Sequence, residues 1–252
     1  MADQPVPVRT RLDGHVLHVT MDRPDKKNAL TQAMYGAMAD ALARAEEDTD
    51  VRVVLLTATG NDFCAGNDLD DFATGPLLES QTGRFLYAVA GATVPLVIAV
   101  QGVAIGVGTT MLLHADLVYA STEARFRLPF VDLGLVPEAG SSLLLPQLVG
   151  HRRAADLLYT GRFFPAAEAA ELGIVNTVVE RDALGAAAAD TALALAAKPP
   201  GALRRTKALL RTPAEPIPDR MLTEGRAFGA QLASPEFAEA RAAFFEKRPP
   251  SF

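Results

Sequence analysis

Residues 94–113 contain no charged side chain, a run about as long as the roughly 20 apolar residues that cross a bilayer. The interior of the run argues against a single span. Pro95 opens it, and Gln101, Thr109, Thr110 and the glycines at 102, 106 and 108 interrupt it. It therefore divides into a buried strand, a glycine-rich turn and a buried helix, a unit that other layers must cover on both faces. A membrane is not an expected partner.

The rest of the chain supplies those layers. Residues 8–13 and 15–21 alternate apolar and polar around Asp13-Gly14, a hairpin signal. Thr31 is placed to cap a helix over residues 32–47, where Met34, Met38, Leu42 and Ala45 recur at helical spacing. Residues 51–57 and 96–100 read as strands buried on both faces. Residues 77–90 and 108–114 read as helices and 116–120 as a further strand. Strand and helix in alternation predict an α/β fold. At Lys198-Pro199-Pro200 the composition changes. The alanine-rich helix 183–197, whose apolar face is expected at Leu184, Leu193 and Leu195, gives way to helices over 202–211, 218–232 and 235–247. Two units are expected, a core over residues 1–197 and a helical C-terminal subdomain over 198–252. A chain of 252 residues buries roughly 70% of its unfolded surface, enough for a core without staples.

Composition removes several function classes. Cys64 is the single cysteine, so no internal disulfide and no Cys/His zinc cluster is expected, and a reducing, cytoplasmic setting fits. Net charge is −6 with the basic residues scattered, which leaves no footprint for nucleic acid. The N-terminal stretch holds acids and prolines without an apolar segment, unlike a signal or transit peptide. There is no G-x-S-x-G elbow, phosphate loop or H-E-x-x-H pattern, and Gly106-Val107-Gly108 does not complete a dinucleotide fingerprint. His15, His18, His114 and His151 sit in settings that suit surface or satisfied core residues.

Two loops follow buried strands and precede helices, the position where ligands gather in α/β proteins. One is Phe63-Cys64-Ala65-Gly66-Asn67-Asp68-Leu69 and the other is Gly102 through Gly108. Small residues let a backbone approach a ligand, and helix starts leave N–H groups unpaired, so two such loops facing each other can clamp one oxygen. Either loop alone reads as an ordinary tight turn before a catalytic feature, and Cys64 as a small packing residue before a nucleophile.

An ordered series of motifs resembles the crotonase, or enoyl-CoA hydratase/isomerase, superfamily over nearly the whole chain. It runs through Lys27-Asn28-Ala29-Leu30, Ala65-Gly66-Asn67-Asp68-Leu69 and Gly106-Val107-Gly108. It continues through residues 129–138 and Leu172-Gly173-Ile174-Val175-Asn176 to Phe245-Glu246-Lys247-Arg248. The resemblance implies a crotonase-like spiral of ββα units, a helical C-terminal trimerisation subdomain, a homotrimer or dimer of trimers, and an acyl-CoA thioester substrate. It implies an oxyanion hole at the backbone N–H groups of Asn67 and Val107. Substrate contacts would come from Lys26, Lys27, Ala29, Leu30, Ala65, Gly66, Asp68, Leu69, Gly106 and Phe130, and more remotely Lys247. Coenzyme A belongs to the substrate, and no further cofactor or metal is implied.

Hydratases of this family use two glutamates, and this chain has Thr110 and Phe130 at those positions. Neither side chain is an acid or base near neutral pH. A 1,3 double-bond shift needs one carboxylate, which takes a proton from C2 of the thioester and returns it to C4. Glu138 matches the acidic residue of the peroxisomal-type Δ3,Δ2-enoyl-CoA isomerases, which the chain also resembles at Gly66-Asn67-Asp68-Leu69. Isomerisation in fatty-acid metabolism is the expected activity. Alternatives remain: a hydratase pairing Glu138 with Asp68 or Asp132, a non-catalytic acyl-CoA-binding scaffold, and Glu138 as a mere capping residue for a helix starting near Ser141. Phe126 and Phe130 suit either an acyl pocket or plain core, and residues 73–82 are expected to shape that pocket.

Overall fold

The computed structural model describes residues 6–71 and 79–252. Strands β1 (Val8–Asp13) and β2 (Val16–Met21) form the expected antiparallel hairpin. Its loop is Gly14-His15 rather than Asp13-Gly14, because Asp13 pairs with Val16 and leaves those two residues to reverse the chain. Both adopt left-handed backbone, φ 55° and 65°, the conformation whose twist matches the flanking strands.

Seven more strands follow: β3 (Val53–Ala58), β4 (Leu96–Val100), β5 (Val103–Ile105), β6 (Leu117–Ser121), β7 (Arg125–Arg127), β8 (Phe164–Pro165) and β9 (Thr177–Val179). The main sheet has the order β1-β2-β3-β4-β6-β9, parallel from β2 onward, and β5-β7-β8 form a second sheet. The chain alternates between the two. After β2 comes Leu30, which bridges Asn67; after β3 comes Cys64, which bridges Ala104; after β4 comes β5, which pairs with β7 beyond β6. Each turn lays one strand in the main sheet and one short extended piece on the preceding turn's short piece, which makes a spiral.

Helices α1 (Gln32–Glu47), α2 (Gln81–Gly91) and α3 (Val107–Thr110) lie within these turns. Thr31 caps α1 as expected, its hydroxyl accepting from the Met34 N–H, and Met34, Met38, Leu42 and Ala45 are buried. The α1 and α2 faces meet at Tyr35 and Phe85, whose ring centroids are 5.6 Å apart. The expected helix 108–114 tightens after Thr110 into a 3-10 turn over Met111–His114, which lets the chain re-enter the sheet at Leu117. Of the helix expected over 77–90 and the loop over 73–82, residues 73–78 lie outside the described residues.

Beyond β7 come α4 (Ser141–Val149), α5 (His151–Thr160), α6 (Ala166–Glu171) and α7 (Arg181–Ala196). Helix α7 covers the outer face of the main sheet, packing Leu184, Ala188, Ala192 and Ala196 onto Val16, Val53, Leu55, Val97 and Ala99. The packing stripe is thus mostly alanine, and Leu193 is 48% exposed. Helices approach a sheet closely where the facing side chains are small, so alanine takes three of the four buried positions and Leu184 the fourth. Helices α8 (Pro200–Arg211), α9 (Ile217–Leu232) and α10 (Pro235–Glu246) complete the helical C-terminal region, and α9 buries no residue. Among the described residues no helix is long and apolar enough to cross a membrane.

Candidate active site

The two small-residue loops meet as neighbouring turns of the spiral. Cys64 N–H donates to the Val103 carbonyl at 3.0 Å and Ile105 N–H to the Cys64 carbonyl at 2.9 Å. Asn67 lies three residues past Cys64, and Val107 three past its partner Ala104, so the two loops leave the bridge in parallel. On the other side, Leu30 donates to the Gly66 carbonyl and accepts from Asp68 N–H, the alternate pattern of a parallel pair. The intervening Asn67 N–H therefore faces away from Leu30. Neither it nor the Val107 N–H, first in α3, donates to an acceptor among the described residues. Close approach explains Gly108, where a Cβ would sit 2.8 Å from the Cys64 carbonyl oxygen.

Glu138 occupies the turn before α4. Its Oε1 accepts the hydroxyl hydrogen of Thr110, and its Oε2 is buried with no partner among the described residues. Burial pushes the carboxyl above the ordinary glutamate value, and the Thr110 donor partly offsets this. The turn is tightly specified. Ser141 holds the Glu138 carbonyl through both its N–H (2.9 Å) and its hydroxyl (2.6 Å), and Ala139 and Gly140 are consecutive left-handed residues, φ 55° and 67°.

A largely apolar cavity of about 410 Å³ opens beside the loops, lined by Ala65, Gly66, Asn67, Leu69, Ile105, Gly106, Pro129, Phe130, Leu133 and Leu135. Six of the expected substrate or oxyanion residues thus gather there: Ala65, Gly66, Asn67, Leu69, Gly106 and Phe130. Phe126 is fully buried core, stacked on Phe164. Leu30 and Val107 are buried behind the wall, and the Glu138 side chain does not line the cavity. Lys26 and Lys27 are exposed outside it, with Lys27 3.8 Å from Asp62. Ala29 contributes its carbonyl to Arg23, and the Asp68 carboxylate pairs with the same guanidinium at 2.5 Å, which holds it below the usual carboxylate range. Asp132 pairs with Arg127 at 2.8 Å, and Lys247 ends α10 on the exposed surface.

Three further residues hold this neighbourhood together, among them His114, which fits the expected satisfied core histidine. Tyr35 is fully buried and donates its hydroxyl to Asn67 Oδ1 at 2.5 Å. Burial pushes its phenol well above the ordinary tyrosine value. Buried Asn28 accepts from Arg23 N–H and donates to the Thr59 and Asp62 carbonyls. His114 reaches the Ala139 carbonyl at 2.7 Å. Tyr35 and His114 sit in apolar helical patterns, and Asn28 in a short loop, so sequence offered no signal for these contacts. Among the described residues no three His, Cys, Asp or Glu side chains gather as metal ligands.

Comparison with known proteins agrees with this fold. The family model described as enoyl-CoA hydratase/isomerase matches residues 11–252. A solved structure described as an enoyl-CoA hydratase/carnithine racemase from Magnetospirillum magneticum AMB-1 is 49% identical and superposes with a TM-score of 0.96, covering 99% of each chain. The 1,2-epoxyphenylacetyl-CoA isomerase of Escherichia coli K12 is 33% identical over 97% of both chains. Enoyl-CoA hydratase EchA19 of Mycobacterium tuberculosis H37Rv is 35% identical over 95% of this chain and 93% of its own. With its crotonase-type spiral and a match along nearly its full length, the chain belongs to the enoyl-CoA hydratase/isomerase family of enzymes acting on acyl-CoA thioesters.

Proposed function

We propose that this protein is an enoyl-CoA isomerase that moves a C3–C4 double bond of an acyl-CoA thioester to C2–C3, with Glu138 carrying the proton. The thioester oxygen sits between the N–H groups of Asn67 and Val107, Glu138 removes a C2 proton, and the resulting dienolate takes the proton back at C4. The net change is a rearrangement, so no water, metal or redox cofactor is consumed. Each oxyanion donor contributes about 3 kcal/mol and the positioned base about 10²- to 10⁴-fold. The acyl chain takes the apolar cavity.

The observation that carries this reading is the lone desolvated carboxylate of Glu138 with one oxygen unpartnered. Hydration is the second reading, favoured by the name of the EchA19 relative. It needs a second acid, and the two alternatives, Asp68 and Asp132, are both engaged by arginines. Incubation with a 3-enoyl-CoA and, separately, a 2-enoyl-CoA discriminates: bond migration supports isomerase, water addition supports hydratase, and neither supports an acyl-CoA-binding scaffold. Exposed Ile217, Met221, Phe228, Phe244 and Phe245 on α9 and α10 support association through the C-terminal helices, read here as a trimer or a dimer of trimers. A single buried thiol suits the cytoplasm.

A further inference from the structure

We infer that His114 is a positioning residue for Glu138, tying the turn that carries the carboxylate to the spiral and, through it, to the C-terminal helix α8. This rests on the reading of Glu138 as the acid/base. The turn is intrinsically reluctant: Ala139 is one of two consecutive left-handed residues, and unlike Gly140 it has a Cβ that disfavours the conformation. Its three carbonyls are each held. Those of Glu138 and Gly140 accept from Ser141 and from Leu143 and Leu144, all within the turn and the start of α4. The Ala139 carbonyl accepts from His114 Nε2 at 2.7 Å, across 25 residues of sequence. A carbonyl only accepts, so Nε2 carries the proton. The His114 backbone is fixed in turn, because Arg211 of α8 donates to its carbonyl at 2.6 Å while also holding the Ala90 and Ala92 carbonyls. Remove the imidazole and Ala139 is free to relax toward right-handed backbone. That rotation turns the 138–139 peptide and swings the carboxylate off the Thr110 hydroxyl.

The test compares His114→Leu, which deletes the donor at similar volume, with His114→Gln, whose amide nitrogen restores a donor at the same reach. The readouts are kcat and KM on a 3-enoyl-CoA, Tm, and Glu138→Gln as reference. His114→Leu is expected to lose between about 10- and 100-fold in kcat with KM within about twofold, the cost of a displaced catalytic group. His114→Gln is expected to recover most of it at whatever Tm the two variants share. Wild-type turnover in His114→Leu, or equal losses in both variants, overturns the assignment while leaving Glu138 intact. Normal turnover in Glu138→Gln instead removes the reading on which the inference rests.

Discussion

The hydroxyl of Thr110 donates to the carboxylate of Glu138, joining two residues 28 positions apart in sequence. By the family resemblance, Thr110 stands where a hydratase is expected to carry its first glutamate. In this chain that position supplies a hydrogen bond to the remaining acid, which changes the pH at which the acid works.

Burial raises the Glu138 pKa above 4.5, and the Thr110 bond pulls it back. The ascending limb of kcat/KM with pH is therefore expected above the ordinary glutamate range. Thr110→Val deletes the lowering contribution and should move that limb further up, whereas Thr110→Ser should leave it in place. A downward shift in the valine variant would contradict the assignment.

The same shift has a thermodynamic side. A carboxyl that holds its proton more tightly folded than unfolded favours the native state at low pH and costs stability as pH rises through its raised folded value. Glu138→Gln should accordingly raise Tm at neutral pH, with the gain shrinking in acid, while cutting isomerisation at least about a hundredfold and sparing CoA-ester binding. Melting curves at two pH values beside single-turnover assays check both halves.

At Asn67 the main chain and the side chain are expected to do different jobs. Asn67→Pro removes the N–H and should cost on the order of 10²-fold in kcat. Asn67→Ala keeps that donor but strands the buried Tyr35 hydroxyl, which should destabilise by about 1–3 kcal/mol with a mild effect on rate. Adding Tyr35→Phe to the alanine variant should restore much of the stability. Equal kinetic losses in Pro and Ala variants would refute the backbone role.

Lys207 pins α8 to the core, its ammonium 2.7 Å from both the Val94 carbonyl and Asp116 with a side chain only 6% exposed. Lys207→Met takes the nearer cation from a partly buried carboxylate, leaving Arg211 at 4.0 Å, and is expected to cost up to about 3 kcal/mol in urea unfolding. An unchanged midpoint would show that the pair contributes nothing.

Much of this was legible in the residues. Helical spacing located α1, short continuous apolar runs located β3 and β4, and the change of composition at residues 198–200 marked the start of the C-terminal helices. The glycines at 66, 106 and 108 marked the two loops: Gly108 lets the Cys64 carbonyl approach, and Gly66 and Gly106 take positive φ, 97° and 56°. The strands at 103–105, 125–127, 164–165 and 177–179 escaped notice, being too short for alternation to register.

By itself the sequence determined the α/β alternation and the two small-residue loops, properties of local pattern and residue type, while the ordered motifs carried the family resemblance and, through it, the reading of Glu138 as the acid. The tertiary structure alone decided that Asp68 and Asp132 are engaged by Arg23 and Arg127, that Tyr35 supports Asn67, and that Thr110 and His114 converge on the turn holding Glu138. Those relationships join residues separated by turns of the spiral. Burial and charge at a point depend on what the fold brings there, which no window along the chain contains.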